Sequence, residues 1–248
     1  TIRTIINRLE LDLNYKVIGV MYDENGQPIY DGRDFVRNSK QFGVPQNRPR
    51  TYIMAFDRAH YGEELIRALP NLLPDHNDLN IYEDLNDLLE FGAEPRHYMS
   101  SGYLETLERH RERQKANGNG FGYIVVNRPE VEHPIANTLL ATGGSGKERN
   151  LVFDPQDGIA GMIVPTKTTP LNAKGIRVMT PREWGKLQGF IGYAFIENGV
   201  DTFSFPEGIS DCQKYKQFGN SVTIPVIETM ARFMLECFEI LGELANIE

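Results

Sequence analysis

Two arginines separated by a single residue carry the strongest chemical signal in the sequence. Gln46, Arg48 and Arg50 alternate along a polar stretch that leads directly into the apolar run 51–56. A guanidinium donates several hydrogen bonds in one plane without losing its charge, so it suits a phosphate or the carbonyl edge of a base. A pair of surface arginines in a turn would have the same spacing, and the spacing alone does not separate the two interpretations.

A second polar cluster lies near the end of the chain. Gly219 predicts a tight turn, and the small polar residues Asn220 and Ser221 then stand at the expected start of the following helix, just before Val222. Side chains of this kind either cap the free amides of a helix or bind the carboxylate of a ligand. Both interpretations stay open on these residues alone.

Hydrophobic periodicity predicts the elements that position these residues. Thr180-Pro181-Arg182-Glu183 has the pattern of a capping box that opens a helix. Strands are predicted at 16–22 and 51–56, with a turn at Asn25-Gly26. A helix is predicted at 103–115 and ends at the glycines of 117–120. Two further helices are predicted from apolar residues that share one face. The first of these faces consists of Ile2, Ile5, Ile6, Leu9 and Leu13, and the second of Ile227, Met230, Met234, Phe238 and Leu241.

The order of these elements predicts three segments. Residues 1–94 read as an α/β segment that ends in an acidic connector containing short helices. Residues 95–175 read as a loop-rich, mainly β segment, with short β-like runs at 123–126, 137–141 and 151–153, and residues 176–248 return to helices.

The net charge of −8 argues against nucleic acid, but the charges are unevenly distributed. Residues 61–94 hold nine acids and one basic residue, whereas 32–56 and 167–188 each hold five basic residues and one acid. An acidic protein can still present a local positive surface, because salt screens distant charges. Ordinary solvated faces would give the same counts.

The rest of the composition argues against several classes of protein. No run approaches the roughly 18 apolar residues of a membrane span, and no signal peptide opens the chain. Cys212 and Cys237 lack metal-ligand spacing, and the five histidines are scattered. We therefore expect a soluble, cytoplasmic protein with free thiols and no metal.

Three segments together resemble the cytosine-5 DNA methyltransferases, and the resemblance covers nearly the whole chain. Residues 43–50 are similar to the family's Gln-x-Arg-x-Arg element, residues 180–190 to its Arg-Glu-x-x-x-Leu-Gln-Gly-Phe helix, and residues 217–222 to its Gly-Asn-Ser-Val element. They occur in the family's order. One departure is Trp184, which stands where the family usually has Cys or Ala.

The resemblance implies roles for these residues. Arg50 would contact the carbonyl oxygen of a flipped-out cytosine, while Arg48 and Gln46 would support the DNA phosphate and the loop. The turn residues Asn220, Ser221 and Val222 would contact S-adenosylmethionine, the family's methyl donor. The implied fold is α/β: the carboxy-terminal part of a Rossmann-like methyltransferase sheet, a target-recognition domain over 95–175, and a helical return.

Within this resemblance, residues 138–150 have the composition of a loop that recognises DNA, and we call them the recognition loop. Glycines let a backbone enter a groove, and basic side chains donate to guanine or phosphate. A phosphate loop of the Walker type is excluded by the spacing, and a flexible hairpin tip is the alternative. The candidate DNA-binding residues are Gly143, Gly144, Ser145, Lys147 and Arg149.

The family's front half is not found in the sequence. There is no glycine-rich donor loop after a first strand and no Pro-Cys nucleophile, and neither cysteine follows a proline. The family's chemistry needs a thiolate that attacks C6 of the extruded cytosine. We therefore expect the carboxy-terminal piece of a restriction-modification type of methyltransferase, inactive alone, that acts on duplex DNA together with the missing amino-terminal half.

Two alternatives remain. The chain could be a non-catalytic DNA-specificity or regulatory subunit, although the Gln-x-Arg-x-Arg element serves a flipped base. It could also be an RNA cytosine-5 methyltransferase relative, although a recognition segment of about 80 residues favours DNA.

Overall fold

The computed structural model describes residues 2–120, 122–142 and 147–242, and the chain divides into two compact units. The first unit comprises Thr1–Phe42, Pro49–Asp78 and Pro225–Glu248, and the second comprises Gly43–Arg48 and Leu79–Ile224. The boundaries of these units differ from the segment boundaries that the sequence predicts after residues 94 and 175. The roles expected of the three sequence segments remain predictions.

Helices and short strands alternate along the described ranges, as in an α/β protein. The α-helices are Ile2–Asn7, Arg58–Tyr61, Glu63–Ala68, Leu85–Leu88, Ser101–Ala116, Pro181–Leu187, Asp211–Asn220 and Ile224–Ile240. The strands form pairs: Tyr15–Val17 with Ala55–Asp57, Met21–Tyr22 with Pro28–Ile29, Val36–Asn38 with Pro49–Thr51, Gln46–Asn47 with Ala136–Asn137, Leu151–Phe153 with Ile176–Val178, and Ile196–Glu197 with Val200–Asp201. Of these pairs, that of Gln46–Asn47 is parallel and the others are antiparallel. In the described ranges, no helix is long and apolar enough to cross a bilayer.

In the first unit, the final helix packs on the strands. Its buried residues recur at helical spacing and pack with Phe56 of the strand Ala55–Asp57 and with the turn residues Ile18 and Phe42. The predicted helix is confirmed, but two residues assigned to its buried face, Ile227 and Met234, are exposed. The buried face lies about a quarter turn away and consists of Val226, Met230, Phe233, Cys237 and Leu241.

The predicted strands of the first unit are present but interrupted. Within 16–22 the chain breaks at Gly19, whose φ of +98° suits glycine, and strands lie on either side. The run 51–56 likewise divides between Pro49–Thr51 and Ala55–Asp57, which pair with different partners. The turn predicted at Asn25-Gly26 is confirmed and joins a two-strand hairpin.

The second unit is organised around Trp184. Thr180 and Glu183 form the predicted capping box, so the helix opens where the sequence indicates. Trp184 is 2% exposed and packs edge-to-face on Tyr215 at 4.7 Å between ring centroids. The large indole that departs from the family pattern is therefore a core side chain. The helix Ser101–Ala116 confirms the one predicted over 103–115, and Gly118 follows it with a φ of +74°.

Candidate functional site

Gln46 and Arg48 lie inside the second unit and hold three segments of main chain together. Gln46 is fully buried; its amide nitrogen donates to the Leu187 carbonyl at 2.9 Å. Arg48 is 2% exposed, and its guanidinium donates to the carbonyls of Leu139 at 2.9 Å, Gly219 at 2.9 Å and Ser221 at 2.7 Å. Two of the sequence-predicted elements, the Gln-x-Arg part and the Gly-Asn-Ser turn, are thus brought into direct contact.

Through these contacts Arg48 acts as a brace, a side chain that holds separate main-chain segments together. The carbonyl groups that Arg48 binds belong to the recognition loop and to the end of the helix Asp211–Asn220. A buried guanidinium is stable only where hydrogen bonds replace its hydration, and three carbonyls supply them here. The contacts of Arg48 and Gln46 therefore support the loop. Their expected support of a DNA phosphate remains a prediction.

Arg50 has a different environment from Arg48, in the first unit. Its side chain is partly exposed, and within the described ranges its hydrogen bond is to the neighbouring Pro49 carbonyl, at 2.7 Å. The strand Pro49–Thr51 pairs with Val36–Asn38, which places Arg50 opposite Arg37. Most of the Arg50 fork is therefore available to a ligand.

Arg37 is a structural residue that the sequence did not reveal. It is 4% exposed and donates to the main-chain carbonyls of Leu73 at 2.7 Å, Asp34 at 2.9 Å and Pro74. Burial lowers the pKa of its guanidinium. The buried Arg37 fixes the strand Val36–Asn38, which pairs with the strand that carries Arg50. Its place in a basic stretch was the only signal in the sequence.

The Asn220–Val222 turn differs from its prediction. Asn220 is the last residue of the helix Asp211–Asn220, so it ends one helix and does not begin the next. The Ser221 hydroxyl donates to the Phe218 carbonyl at 2.8 Å, which satisfies a terminal carbonyl and not an amide. Asn220 and Val222 are exposed, and their expected contact with a cofactor is still a prediction.

The tight turn predicted at Gly219 is not present, because this residue is helical, and the glycine is needed for another reason. It lies within the helix, and a Cβ added there would overlap the main-chain carbonyl of Leu140. The glycine permits the helix end and the recognition loop to approach closely. Gln188 completes this region: it is fully buried, donates to the Phe218 carbonyl at 2.9 Å and accepts from the Thr223 hydroxyl at 2.8 Å.

A buried ion network supports the capping-box helix. Arg177 is fully buried and forms a two-pronged pair with Glu183, at 2.8 and 2.7 Å, and donates to Asp154 at 2.6 Å. Burial lowers the pKa of Arg177, but the hydrogen bonds and charges of Glu183 and Asp154 outweigh it and leave that pKa raised. The network joins the strand Ile176–Val178 to the helix Pro181–Leu187, and sequence spacing gave no indication of it.

The recognition loop is held at its base by two asparagines. Asn150 is 3% exposed; it accepts from the Asn137 amide at 2.7 Å and donates to the Asn137 carbonyl at 3.1 Å. The Asn137 side chain donates in turn to the Arg149 carbonyl at 2.9 Å. We call this pair the asparagine clasp, and it closes the loop with amide groups at both ends.

Of the candidate DNA-binding residues, Lys147 and Arg149 lie in the described ranges, whereas Gly143, Gly144 and Ser145 lie outside them. The Lys147 ammonium stands 4.5 Å from the centre of the Tyr215 ring, and the Arg149 side chain is exposed beside Gly122. Burial and then the charge of Lys147 lower the pKa of Lys167, so a second cation lies near this end of the loop.

Cys237 does not have the environment of an activated nucleophile. Cys237 is fully buried in the core of the first unit, and burial raises the pKa of its thiol to about 11. Catalytic thiols have lowered pKa values and lie beside positive charge. Cys212 is free and exposed, on the helix Asp211–Asn220.

Comparison with known protein families identifies the class to which this α/β chain belongs. The model of the C-5 cytosine-specific DNA methylase family matches residues 10–236. The chain belongs to this family.

Individual relatives are bacterial methyltransferases. The chain is 35% identical to the type II methyltransferase M.HpaII of Haemophilus parainfluenzae, over 95% of this chain and 55% of that protein. It is 30% identical to the type II methyltransferase M1.ScrFI of Lactococcus lactis subsp. cremoris, over 96% of this chain and 48% of that protein. The chain therefore spans about half the length of these relatives.

A solved structure shows the same fold. The methyltransferase EhMeth of Entamoeba histolytica superposes with a TM-score of 0.55 at 18% identity, covering 95% of this chain and 57% of that one. The expected α/β methyltransferase fold is thereby confirmed.

Proposed function

We propose that this chain is part of a DNA cytosine-5 methyltransferase, which transfers a methyl group from S-adenosylmethionine to C5 of a flipped cytosine in a specific duplex site. In this proposal the chain supplies DNA recognition and part of the active site. The thiolate that attacks the base belongs to the portion of the enzyme that the longer relatives have in addition.

The unequal environments of Arg48 and Arg50 carry the proposal. Arg48 uses its donors on three main-chain carbonyls, whereas Arg50 keeps most of its fork accessible. A planar fork with free donors suits the carbonyl oxygen of an extruded cytosine. Within this element, Gln46 and Arg48 thus fix the loop, whereas Arg50 contacts the base.

The turn at 220–222 fits a methyl donor in its chemistry. The Asn220 side chain is exposed, and an amide both donates to a carboxylate and accepts from an amine. S-adenosylmethionine supplies an electrophilic methyl group when bound. The contribution of this chain is the Asn220 amide, held in place because Arg48 binds the carbonyls on either side of it.

DNA recognition is assigned to the recognition loop. Lys147 and Arg149 follow its glycine-rich part, and basic side chains there serve phosphate contact or guanine recognition. Extruding a base costs a few kcal/mol of stacking and pairing, and such contacts offset that cost.

Reconstitution tests the proposal. The chain is mixed with the remaining portion of the methylase, duplex DNA and a methyl-labelled donor, and 5-methylcytosine is measured. We expect product from the mixture and none from the chain alone. A folded complex that yields no 5-methylcytosine contradicts the proposal, and transfer to tRNA in preference to duplex DNA would identify an RNA methyltransferase.

Arg50→Ala separates the catalytic role from DNA binding alone. We expect it to abolish turnover in the reconstituted enzyme and to leave duplex affinity within about threefold, because the contact forms only with the extruded base. Arg33→Ala, at an exposed arginine of the same unit paired with Asp31, is the matched control and should keep full turnover. A module that only binds DNA would show no turnover before either substitution.

A further inference from the structure

The first unit contains a cavity of about 550 Å³ whose wall residues have no role in the proposed function. Its wall is formed by residues of the ranges 10–16, 20–26 and 58–71. We call it the Lys16 cavity, after the buried lysine in its wall. A cavity of this size, with a few polar groups among apolar side chains, is typical of a site for a small ligand.

Lys16 is a buried cation of this wall, with 8% of its surface exposed. In the described ranges its ammonium forms one hydrogen bond, to the Val20 carbonyl, and no ion pair. It stands 4.9 Å from the centre of the Tyr22 ring. An ammonium has three donors, so the Val20 carbonyl leaves two of them for a ligand.

Glu10 is the carboxylate whose charge acts on Lys16, but other groups already satisfy it. It accepts from the Val17 amide at 2.7 Å and from the Tyr22 hydroxyl, and it pairs with Arg58 at 3.0 Å. Burial lowers the pKa of Lys16, and the Glu10 charge offsets only part of that effect. A buried cation without a paired anion is costly, so an anion that enters the cavity is stabilised there.

The wall as a whole has an excess of one positive charge. Its cations are Lys16, Arg58 and Arg67, and its anions are Glu10 and Glu63, three charges against two. Arg67 is exposed and, in the part of the chain that the structure describes, has no ion-pair partner. Both Lys16 and Arg67 are therefore available to an anion.

The rest of the wall suits an apolar group. Val20 and Ile66 line it as buried side chains, and Leu11 and Met21 line it with 51% and 62% of their surface exposed. A ligand with an apolar body covers such side chains when it binds, and this burial favours binding. The chemistry of the wall is that of a site for an amphipathic anion.

We infer that the Lys16 cavity binds a small organic monoanion, a carboxylate that accepts from Lys16 and Arg67 and has a short aliphatic body in contact with Leu11 and Met21. A carboxylate has two oxygens and accepts from both cations at once. None of these residues has a role in the proposed function, so the inference stands or fails independently of it.

Titration calorimetry with octanoate, below its micelle-forming concentration, tests the charge requirement. We expect octanoate to bind at least about tenfold more tightly than octan-1-ol, because the alcohol lacks the charge-assisted hydrogen bonds. Lys16→Met should remove this preference, since methionine fills a similar volume without a charge or a donor. Lys40→Met, at an exposed lysine of the same unit, is the matched control and should keep it.

Methyl resonances of ¹³C-labelled methionine locate the bound ligand. The Met21 methyl group should shift on addition of octanoate, whereas that of Met162, which is 38% exposed in the second unit, should not. Met21→Leu identifies the resonance. Circular dichroism establishes that Lys16→Met is folded. If it is not, Arg67→Gln, at an exposed side chain, replaces it and should weaken binding of octanoate at least about threefold without changing that of octan-1-ol.

Several results would overturn the inference. Equal binding of octanoate and octan-1-ol would identify an apolar cleft without an anion site. A preference that survives Lys16→Met, or a Met21 resonance that does not move, would place the ligand elsewhere. Displacement of octanoate by inorganic phosphate at equal concentration would identify a site for simple anions, in which the apolar wall has no part.

Discussion

Replacing Arg48 by alanine removes the guanidinium that holds three main-chain carbonyls in the second unit. A hydrogen bond from a charged donor contributes roughly 1.5–3 kcal/mol, and a buried acceptor left unpaired costs about 1–3 kcal/mol. The Ser221 carbonyl is only partly buried, so water replaces part of that loss. We therefore expect Arg48→Ala to lower the free energy of unfolding by about 3–5 kcal/mol, similar to removing one partner of a buried ion pair.

Arg50→Ala is the internal control for this prediction. The Arg50 side chain is partly exposed and binds the adjacent Pro49 carbonyl, so its removal should change the free energy of unfolding by no more than about 0.5 kcal/mol. Urea denaturation followed by fluorescence of Trp184, the single tryptophan and a core residue of the second unit, measures both variants. Equal destabilisation by the two substitutions, or a loss below about 1 kcal/mol for Arg48→Ala, would refute the assignment of Arg48 as the brace.

Three further predictions follow from the second unit. Gly219→Ala should destabilise it by several kcal/mol because the new methyl group overlaps main chain, whereas Gly120→Ala, with open space around it, should be nearly neutral in the same urea titration. Asn150→Ala breaks the asparagine clasp and should cost about 1–2 kcal/mol, and it should weaken duplex DNA binding in fluorescence anisotropy. Burial, and then a neighbouring arginine, lower the pKa of His97 from 6.5 to about 4. The stability that neutral His97 contributes is therefore complete above pH 6.5 and is lost as the pH falls towards 4. His97→Gln should flatten this part of the pH dependence of the urea midpoint.

Local signals predicted the elements well. The capping box at Thr180 and the final helix are both confirmed, because a cap and a helical repeat are set by residues three or four positions apart. The strands were harder. Gly19 and the change of partner between Thr51 and Ala55 interrupt what periodicity presents as continuous runs, since pairing depends on residues distant in the sequence.

The site shows a similar limit. Gln46, Arg48 and Arg50 alternate at a spacing of two, which would place them on one face of a single strand. In the structure Gln46 and Arg50 lie in different ladders, Gln46–Asn47 and Pro49–Thr51. Arg48 lies between these two strands and is buried, while Arg50 stays partly exposed. The sequence analysis assigned Gly219 to a turn. A sequence shows that a glycine has no side chain, but it does not show which main-chain segment packs against that glycine.

The asparagine clasp makes the middle of the recognition loop exchangeable. Both amide partners lie at the ends of the recognition loop and bind each other through main-chain and side-chain groups, so the closure does not depend on which residues lie between them. Substituting a foreign sequence for residues 142–146 would leave that closure intact, and it would keep Leu139 in the core with its carbonyl on Arg48. Under the proposed function, the clasp is therefore a fixed anchor on which loops could be exchanged to redesign target preference.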